Sequence, residues 1–304
     1  MAAESDHYSL NWLSHELRQP LARLQSLAAR AERCYNEFTQ ERRGKKRLID
    51  NPNDELKEVQ SSIRDILLVS IPLSEIVHGC VKGRSAQTNA HEHVRQPSAA
   101  SIDIRKCYQS ITNRMVFRFF TQKLRLGPKV ASILTRLTTR RGHLPTGAPT
   151  SDALANLILS PVDDDIERIA ARLGLNKTRY VDNIDFSGAN SGAAIGPTIQ
   201  SLQRNGFAVP REKVFRAGGG KAHVISGHTV NGKRVSISQA HRNKVRAACH
   251  ELVIAFRRGD SIVKMTKIIR GRITHVARTN PRSADKLRRT LRDAGISLLD
   301  SRSR

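Results

Sequence analysis

The sequence predicts an α+β fold, and three observations predict it. Amphipathic helical spacing covers long stretches near both ends and in the middle of the chain. Short β-prone runs separate these helical blocks, at residues 101–104, in the 180s and between 208 and 237. Two of these runs carry the aspartates Asp103 and Asp182, 79 residues apart. The 304 residues suffice for a substantial core shared by two or three subdomains.

Residues 8–38 read as helix, because Leu10, Leu13, Leu17, Leu21, Leu24 and Leu27 recur at three- and four-residue spacing. Gly44 interrupts the basic run Arg42–Arg47, and Leu48-Ile49 before Asn51-Pro52-Asn53 suggests a hairpin leading into a turn. Glu55 to Ser70 carries Leu56, Val59, Ile63, Ile66 and Leu67 on one helical side, whereas 78–100 reads as loop. Ser101–Ile104 is a strand candidate, and 112–137 holds two helical segments broken near Gly127-Pro128. A loop over 141–150 precedes helix from Ser151 to Leu173, with Thr150 or Ser151 as its cap. Arg179 to Gly188 forms a hairpin with Asp182 at its tip, and Ile195–Asn205 is helical. Short strands are expected at 208–209, 222–225 and 233–237, and mostly helix from Ser238 onward.

The formal charge is +25, from 52 Lys and Arg against 27 Asp and Glu. Such an excess points to a polyanionic partner, nucleic acid before an anionic membrane surface. Residues 231–304 alone hold 19 basic and 5 acidic residues. Helix faces exposed only to solvent usually mix signs. The one-signed cluster Arg242, Lys244, Arg246, Arg257, Arg258, Lys264, Lys267, Arg270 and Arg272 therefore suits RNA phosphates. There is no apolar run near the roughly 20 residues of a membrane span. Met1 to His7 lacks the layout of a signal peptide, so a cytoplasmic location is expected. Cys34, Cys80, Cys107 and Cys249 form no CxxC pair and are expected to be unpaired thiols; Cys249-His250 is read as packing, not as a zinc site.

Asp103 and Asp182 are the residues with chemistry to offer. Carboxylates on adjacent rigid strands can hold two magnesium ions, which activate a hydroxyl and stabilise a leaving pyrophosphate. Turn or edge aspartates in an unrelated fold would look the same in isolation.

The flanking segments narrow this. Ile102-Asp103-Ile104-Arg105-Lys106-Cys107-Tyr108-Gln109-Ser110-Ile111 resembles the first catalytic motif of reverse transcriptases. Leu144-Pro145-Thr146-Gly147-Ala148-Pro149-Thr150-Ser151 followed by Ala153–Leu157 resembles their LPQGAPTS loop, and Tyr180-Val181-Asp182-Asn183 stands where they have Tyr-x-Asp-Asp. Lys45–Ile49 resembles the fingers segment, and His78–Ser85 with Asn89-Ala90 and His93 the loop before the first motif. Val224-Ile225-Ser226-Gly227 is similar to the Val-Thr-Gly signature of the retron and related defence-associated bacterial enzymes. The ordered motifs run from about residue 35 to about residue 250.

The resemblance implies a right-hand polymerase: an N-terminal helical segment (1–34), fingers (35–100), palm (101–222) and a basic helical thumb (223–304). It implies an RNA-directed DNA polymerase that copies a cognate structured noncoding RNA, with antiphage defence as the setting. Asp103, Asp182 and Asn183 would be catalytic, and Asp103, the Ile104 carbonyl and Asp182 would bind two Mg²⁺ ions, with Mn²⁺ as an alternative. Lys45, Arg47, Tyr108, Gly147, Ala148, Pro149 and Lys213 would bind the deoxynucleoside triphosphate. Of these, Tyr108 would crowd the sugar 2′ position and Lys213 would supply the acid for pyrophosphate. The implied partners are template–primer RNA, the RNA–DNA hybrid and an effector protein, with no membrane. Departures are Asn183 for aspartate, Gln109 for proline, Thr146 for glutamine and Ser226 for threonine. Asp185 lies on the strand face of Asn183 and is a candidate to restore its missing charge. A catalytically weakened RNA-binding scaffold and a group II intron-type enzyme are the rival readings.

Overall fold

A computed structural model describes residues 8–42, 45–218 and 221–298. The described chain begins with α1 (Leu10–Glu16), capped by the Ser9 side chain, and α2 (Leu21–Arg30). Leu13, Leu17, Leu24 and Leu27 are fully buried, as their spacing predicts. The helix expected through residue 38 ends earlier, because the leucine repeat stops at Leu27. β1 (Tyr35–Arg42) and β2 (Lys45–Pro52) instead pair as an antiparallel hairpin. Tyr35, Phe38 and Thr39 are residue types that favour strand. Gly44 lies outside the described residues.

Asn53 caps α3 (Asp54–Ser62), which a wider π turn extends to Leu68. Within the region expected to be loop, α4 (Ala86–His91) forms under a capping box made by Ser85 and Thr88. Its six residues bury only Asn89 and Ala90, too little to leave a periodic pattern in the sequence. β3 (Ala99–Asp103) is followed by α5 (Cys107–Ser110), α6 (Asn113–Arg118) and α7 (Pro128–Thr138). α8 (Ser151–Ile158) and α9 (Ser160–Leu173) lead into the hairpin of β4 (Asn176–Tyr180) and β5 (Asn183–Ser187). α10 (Ile195–Arg204) and β6 (Val214–Ala217) complete this part. The strand expected at 208–209 is absent; β6, six residues later, forms the sheet edge.

The central sheet has the order β4-β5-β3-β6, with every neighbouring pair antiparallel. Period two divides its faces. Ile102, Ile184 and Phe186 are fully buried on the face toward α9 and α10. The opposite face carries Ser101, Asp103, Asn183 and Asp185 and is partly covered by α4. One apolar core runs from Leu13 to Phe207.

β7 (Val224–Ile225), β8 (His228–Thr229) and β9 (Ser236–Ile237) form a small sheet, shorter than expected. α11 (Gln239–Arg257), α12 (Val263–Ala277) and α13 (Pro281–Asp293) close on a separate core of Val245, Cys249, Leu252, Ile273 and Leu291. All four cysteines are free, and Cys249 is buried in that core. No helix among the described residues is long and apolar enough to cross a membrane.

Candidate active site

Register brings the two aspartates together. Asp103 ends β3 directly opposite Asn183, the first residue of β5. Val181 and Asp182 form the two-residue turn between β4 and β5, with Val181 left-handed at φ 58°. The Ile104 N–H donates to the Asp182 carbonyl at 2.8 Å, tying this turn to the end of β3. Burial raises the pKa of the Asp182 carboxyl, and the neighbouring Asp103 charge raises it further; Lys213 and Arg47 act in the opposite direction. The Lys213 ammonium lies 2.5 Å from Asp103 Oδ2. Two crowded carboxylates that already attract an ammonium fit a divalent cation. Among the described residues no group of three or more His, Cys, Asp or Glu converges on one point. A magnesium ion here would therefore need backbone, water and substrate oxygens as well.

Asn183 Nδ2 donates to Asp182 Oδ1 at 3.3 Å. An amide at 183 thus supports the Asp182 carboxylate where an aspartate would repel it. Asp185 does not stand in for the missing charge. Its oxygens accept from Ser101 Oγ at 2.5 Å and Asn89 Nδ2 at 3.2 Å, and Asn89 also donates to Ser226.

Burial, opposed by those two donations, lifts the Asp185 pKa from 3.8 to about 6. The folded state therefore holds this proton more tightly than the unfolded chain. Its stabilising contribution is complete below about pH 4 and is lost as pH rises through about 6. His93 works in the other direction. Buried between the hydroxyls of Ser187 and Thr178, it is pushed down to about 3, so its contribution falls as pH drops below about 6.5. Asp185→Asn isolates the first effect. Its unfolding midpoint relative to wild type is expected to improve from about pH 4 to about pH 6 and then to level off; parallel profiles across that window would contradict the assignment.

Behind the turn stands a side chain that the sequence reading left without a role. Arg179 is fully buried and bonds both oxygens of Asp163 on α9, at 2.6 and 2.7 Å. Its Nη1 also reaches Asn156 Oδ1 and the Val181 carbonyl, each at 3.0 Å. Asn156 Nδ2 in turn donates to the Gly79 carbonyl at 2.9 Å. Gly79 lies so close that a Cβ there would come within 2.4 Å of the Val181 nitrogen. The segment 76–78 bonds alongside β4 through Arg179 N to the Ile76 carbonyl and His78 N to the Arg179 carbonyl. The left-handed turn is therefore held from beneath by Arg179 and from the side by Gly79.

The predicted nucleotide-binding residues divide into three groups. Arg47 is exposed on β2, and its charge reaches Asp182; the side chain of Lys45 lies outside the described residues. Gly147 has φ 118°, and a Cβ on it would meet Ile49 at 3.0 Å and the Asp50 carbonyl at 3.3 Å. Its space is thus occupied by β2, and Asp50 N donates to the Thr146 carbonyl at 2.8 Å to hold the loop there. Ala148 points into the core and Pro149 is half-buried. Tyr108 is half-buried and donates its hydroxyl to Asp152 Oδ1 at 2.5 Å.

Of the predicted RNA-binding residues, Lys244, Arg246, Arg257, Arg258, Lys264 and Lys267 are exposed on α11 and α12. Arg242 differs, since its guanidinium is bonded to the Ile237 carbonyl at 2.6 Å and to Gln239. Arg270, Arg288, Arg289 and Arg292 line an open cavity of about 900 Å³ between α12 and α13, which the sequence reading did not anticipate. The positions were visible as charges, but the groove depends on helix packing.

No protein-family model matches the chain. Among curated proteins, the retron Mx65 reverse transcriptase of Myxococcus xanthus is 30% identical over 275 residues, which is 84% of this chain. The retron Ec86 reverse transcriptase of Escherichia coli is 27% identical over 250 residues, or 80% of this chain. The chain spans 63% of the length of the first and 78% of the second. Among solved structures, apo telomerase from Candida tropicalis aligns with TM-score 0.45 at 14% identity, over 67% of this chain and 55% of that one. Over most of its length the chain is similar in sequence to these bacterial retron reverse transcriptases.

Proposed function

We propose that this protein is an RNA-directed DNA polymerase that copies a cognate structured noncoding RNA of a retron-like system. The observation that carries the proposal is the placing of Asp103, at the end of β3, beside the turn residue Asp182, with Lys213 against Asp103. In this reading residues 35–100 are fingers, 101–222 palm and 223–304 thumb. Asp103, Asp182 and the Ile104 carbonyl would hold two Mg²⁺ ions, and such ions would supply Lewis-acid activation of a hydroxyl and charge neutralisation at a leaving pyrophosphate. Arg47 grips the triphosphate, and Lys213, close to Asp103, supplies the proton for pyrophosphate. The exposed cations of α11 and α12 grip the RNA phosphates, which gives affinity and register without reading sequence. An effector protein completes the proposed set of partners.

Primer extension on an RNA template, with Mg²⁺ and separately with Mn²⁺, tests the reading. Wild type is expected to incorporate deoxynucleotides, and Asp182→Ala to lose incorporation with either ion. Equal incorporation by the two proteins would overturn it. Asn183→Asp tests the metal assignment from the other side. The new carboxylate loses the donation to Asp182 and adds like charge to an already crowded pair. The variant is expected to melt at a lower temperature than wild type in chelator and to gain more from added Mg²⁺. Mg²⁺-supported synthesis is expected to be preserved or raised. An identical Mg²⁺-dependent rise in melting temperature would argue against a cation at this position.

A further inference from the structure

We propose that Asp152 is a positioning residue that sets sugar discrimination by fixing Tyr108; this rests on the polymerase reading above. Tyr108 lies five residues after Asp103, on α5, beside Cys107, which the charges of Asp182 and Asp103 reach. Asp152 comes from the first turn of α8, a different element. Its Oδ1 accepts the Tyr108 hydroxyl at 2.5 Å. The charge of the same carboxylate reaches the Cys80 thiol, in the loop whose Gly79 packs against Val181. Burial first, then Asp152, pushes Cys80 up to about 12 and raises the Tyr108 hydroxyl as well. Both groups therefore stay protonated at neutral pH, and the Tyr108 hydroxyl is the donor to Asp152.

The geometry has a consequence for selection. A half-buried ring gripped only by packing can tilt when a bulkier sugar enters. A ring whose hydroxyl is tied to a carboxylate on another helix must break a charge-assisted hydrogen bond to do so. The contact borders solvent, so its net worth falls to that of an ordinary neutral hydrogen bond. It would then account for about five- to tenfold in discrimination. The carboxylate itself need not touch the nucleotide. Its position was hidden in the sequence because Asp152 reads as an ordinary acidic residue in the first turn of a helix.

The test is steady-state incorporation of a deoxynucleotide and of the matching ribonucleotide on one RNA template–primer. The ratio of the two kcat/KM values cancels differences in active fraction between preparations. Asp152→Ala is expected to raise ribonucleotide use relative to deoxynucleotide use by about five- to tenfold, mainly through a lower ribonucleotide KM. Asp152→Asn keeps an acceptor oxygen and should restore most of the discrimination. Tyr108→Phe keeps the ring but removes the donor, and should match Asp152→Ala; combining the two should add nothing. An unchanged ratio in Asp152→Ala would overturn the inference while leaving the polymerase reading intact. So would an effect of full size in the Tyr108→Phe background, which would mean that Asp152 acts without Tyr108. Failure of wild type to incorporate either nucleotide would overturn both.

Discussion

Replacing Arg179 with methionine is expected to cost about 3–5 kcal/mol, because it leaves the buried Asp163 carboxylate without its partner. Asp163 is 2% exposed at its side chain and Arg179 is fully buried, so water cannot take over the role of either. Burial raises the Asp163 pKa, and Arg179 is what opposes that rise. A loss of this size should lower the melting temperature by about 10 °C. The double variant Arg179→Met with Asp163→Leu removes both charges and fills the space. Such exchanges are often close to neutral, so at least half of the lost stability should return. Polymerisation should not return with it, because the Val181 carbonyl and Asn156 also depend on Arg179. Thermal unfolding beside primer extension separates the two outcomes. Recovery of both stability and synthesis in the double variant would reduce Arg179 to a packing role.

Asp103→Asn is expected to lower RNA-templated synthesis on the order of a thousandfold without destabilising the protein. In the absence of cations, Asp103 raises the pKa of Asp182 by repulsion, so neutralising it relieves a strained pair. Its ion pair with Lys213 is partly exposed, with the lysine side chain 38% accessible, and contributes little in compensation. The melting temperature in chelator should therefore stay level or rise, while the increase produced by Mg²⁺ disappears. RNA affinity should remain, since the exposed cations of α11 and α12 belong to a separate core. A variant that loses RNA affinity in proportion to synthesis would show that Asp103 acts on folding or binding instead of chemistry. These outcomes follow from a site that sacrifices some stability for function.

The candidate site was legible in the sequence to the extent that its chemistry is local. Asp103, Asp182 and Asn183 stood out because short β-prone runs flank them and ordered motifs surround them. Most of the helices were legible too, since leucine and isoleucine spacing records which face is buried. The errors have common causes. The helix drawn through residue 38 outran its leucine pattern, and α4 was too short and too polar to leave one. Strand β6 was missed because Val214–Ala217 is a four-residue edge strand with two exposed residues. The suggestion that Asp185 supplies missing charge failed for a different reason. Alternation correctly set its face, but only the register with β3 and the position of α4 reveal that Ser101 and Asn89 occupy its oxygens.

The sequence by itself determined the apolar faces, the positions of the two aspartates and the excess of positive charge toward the C-terminus. These are properties of single residues and of their spacing, and they survive without knowledge of any distant partner. Only the tertiary structure decided what each polar side chain is bonded to. Arg179 and Arg47 are the same residue type, yet one is sealed beneath the turn and the other is exposed on β2. Asp152 and Asp182 differ in the same way, one accepting from Tyr108 and the other crowded against Asp103. The physical reason is that a buried polar group must find its partner across tens of residues of sequence. Arg179 with Asp163 spans 16 positions, Tyr108 with Asp152 spans 44, and Lys213 with Asp103 spans 110.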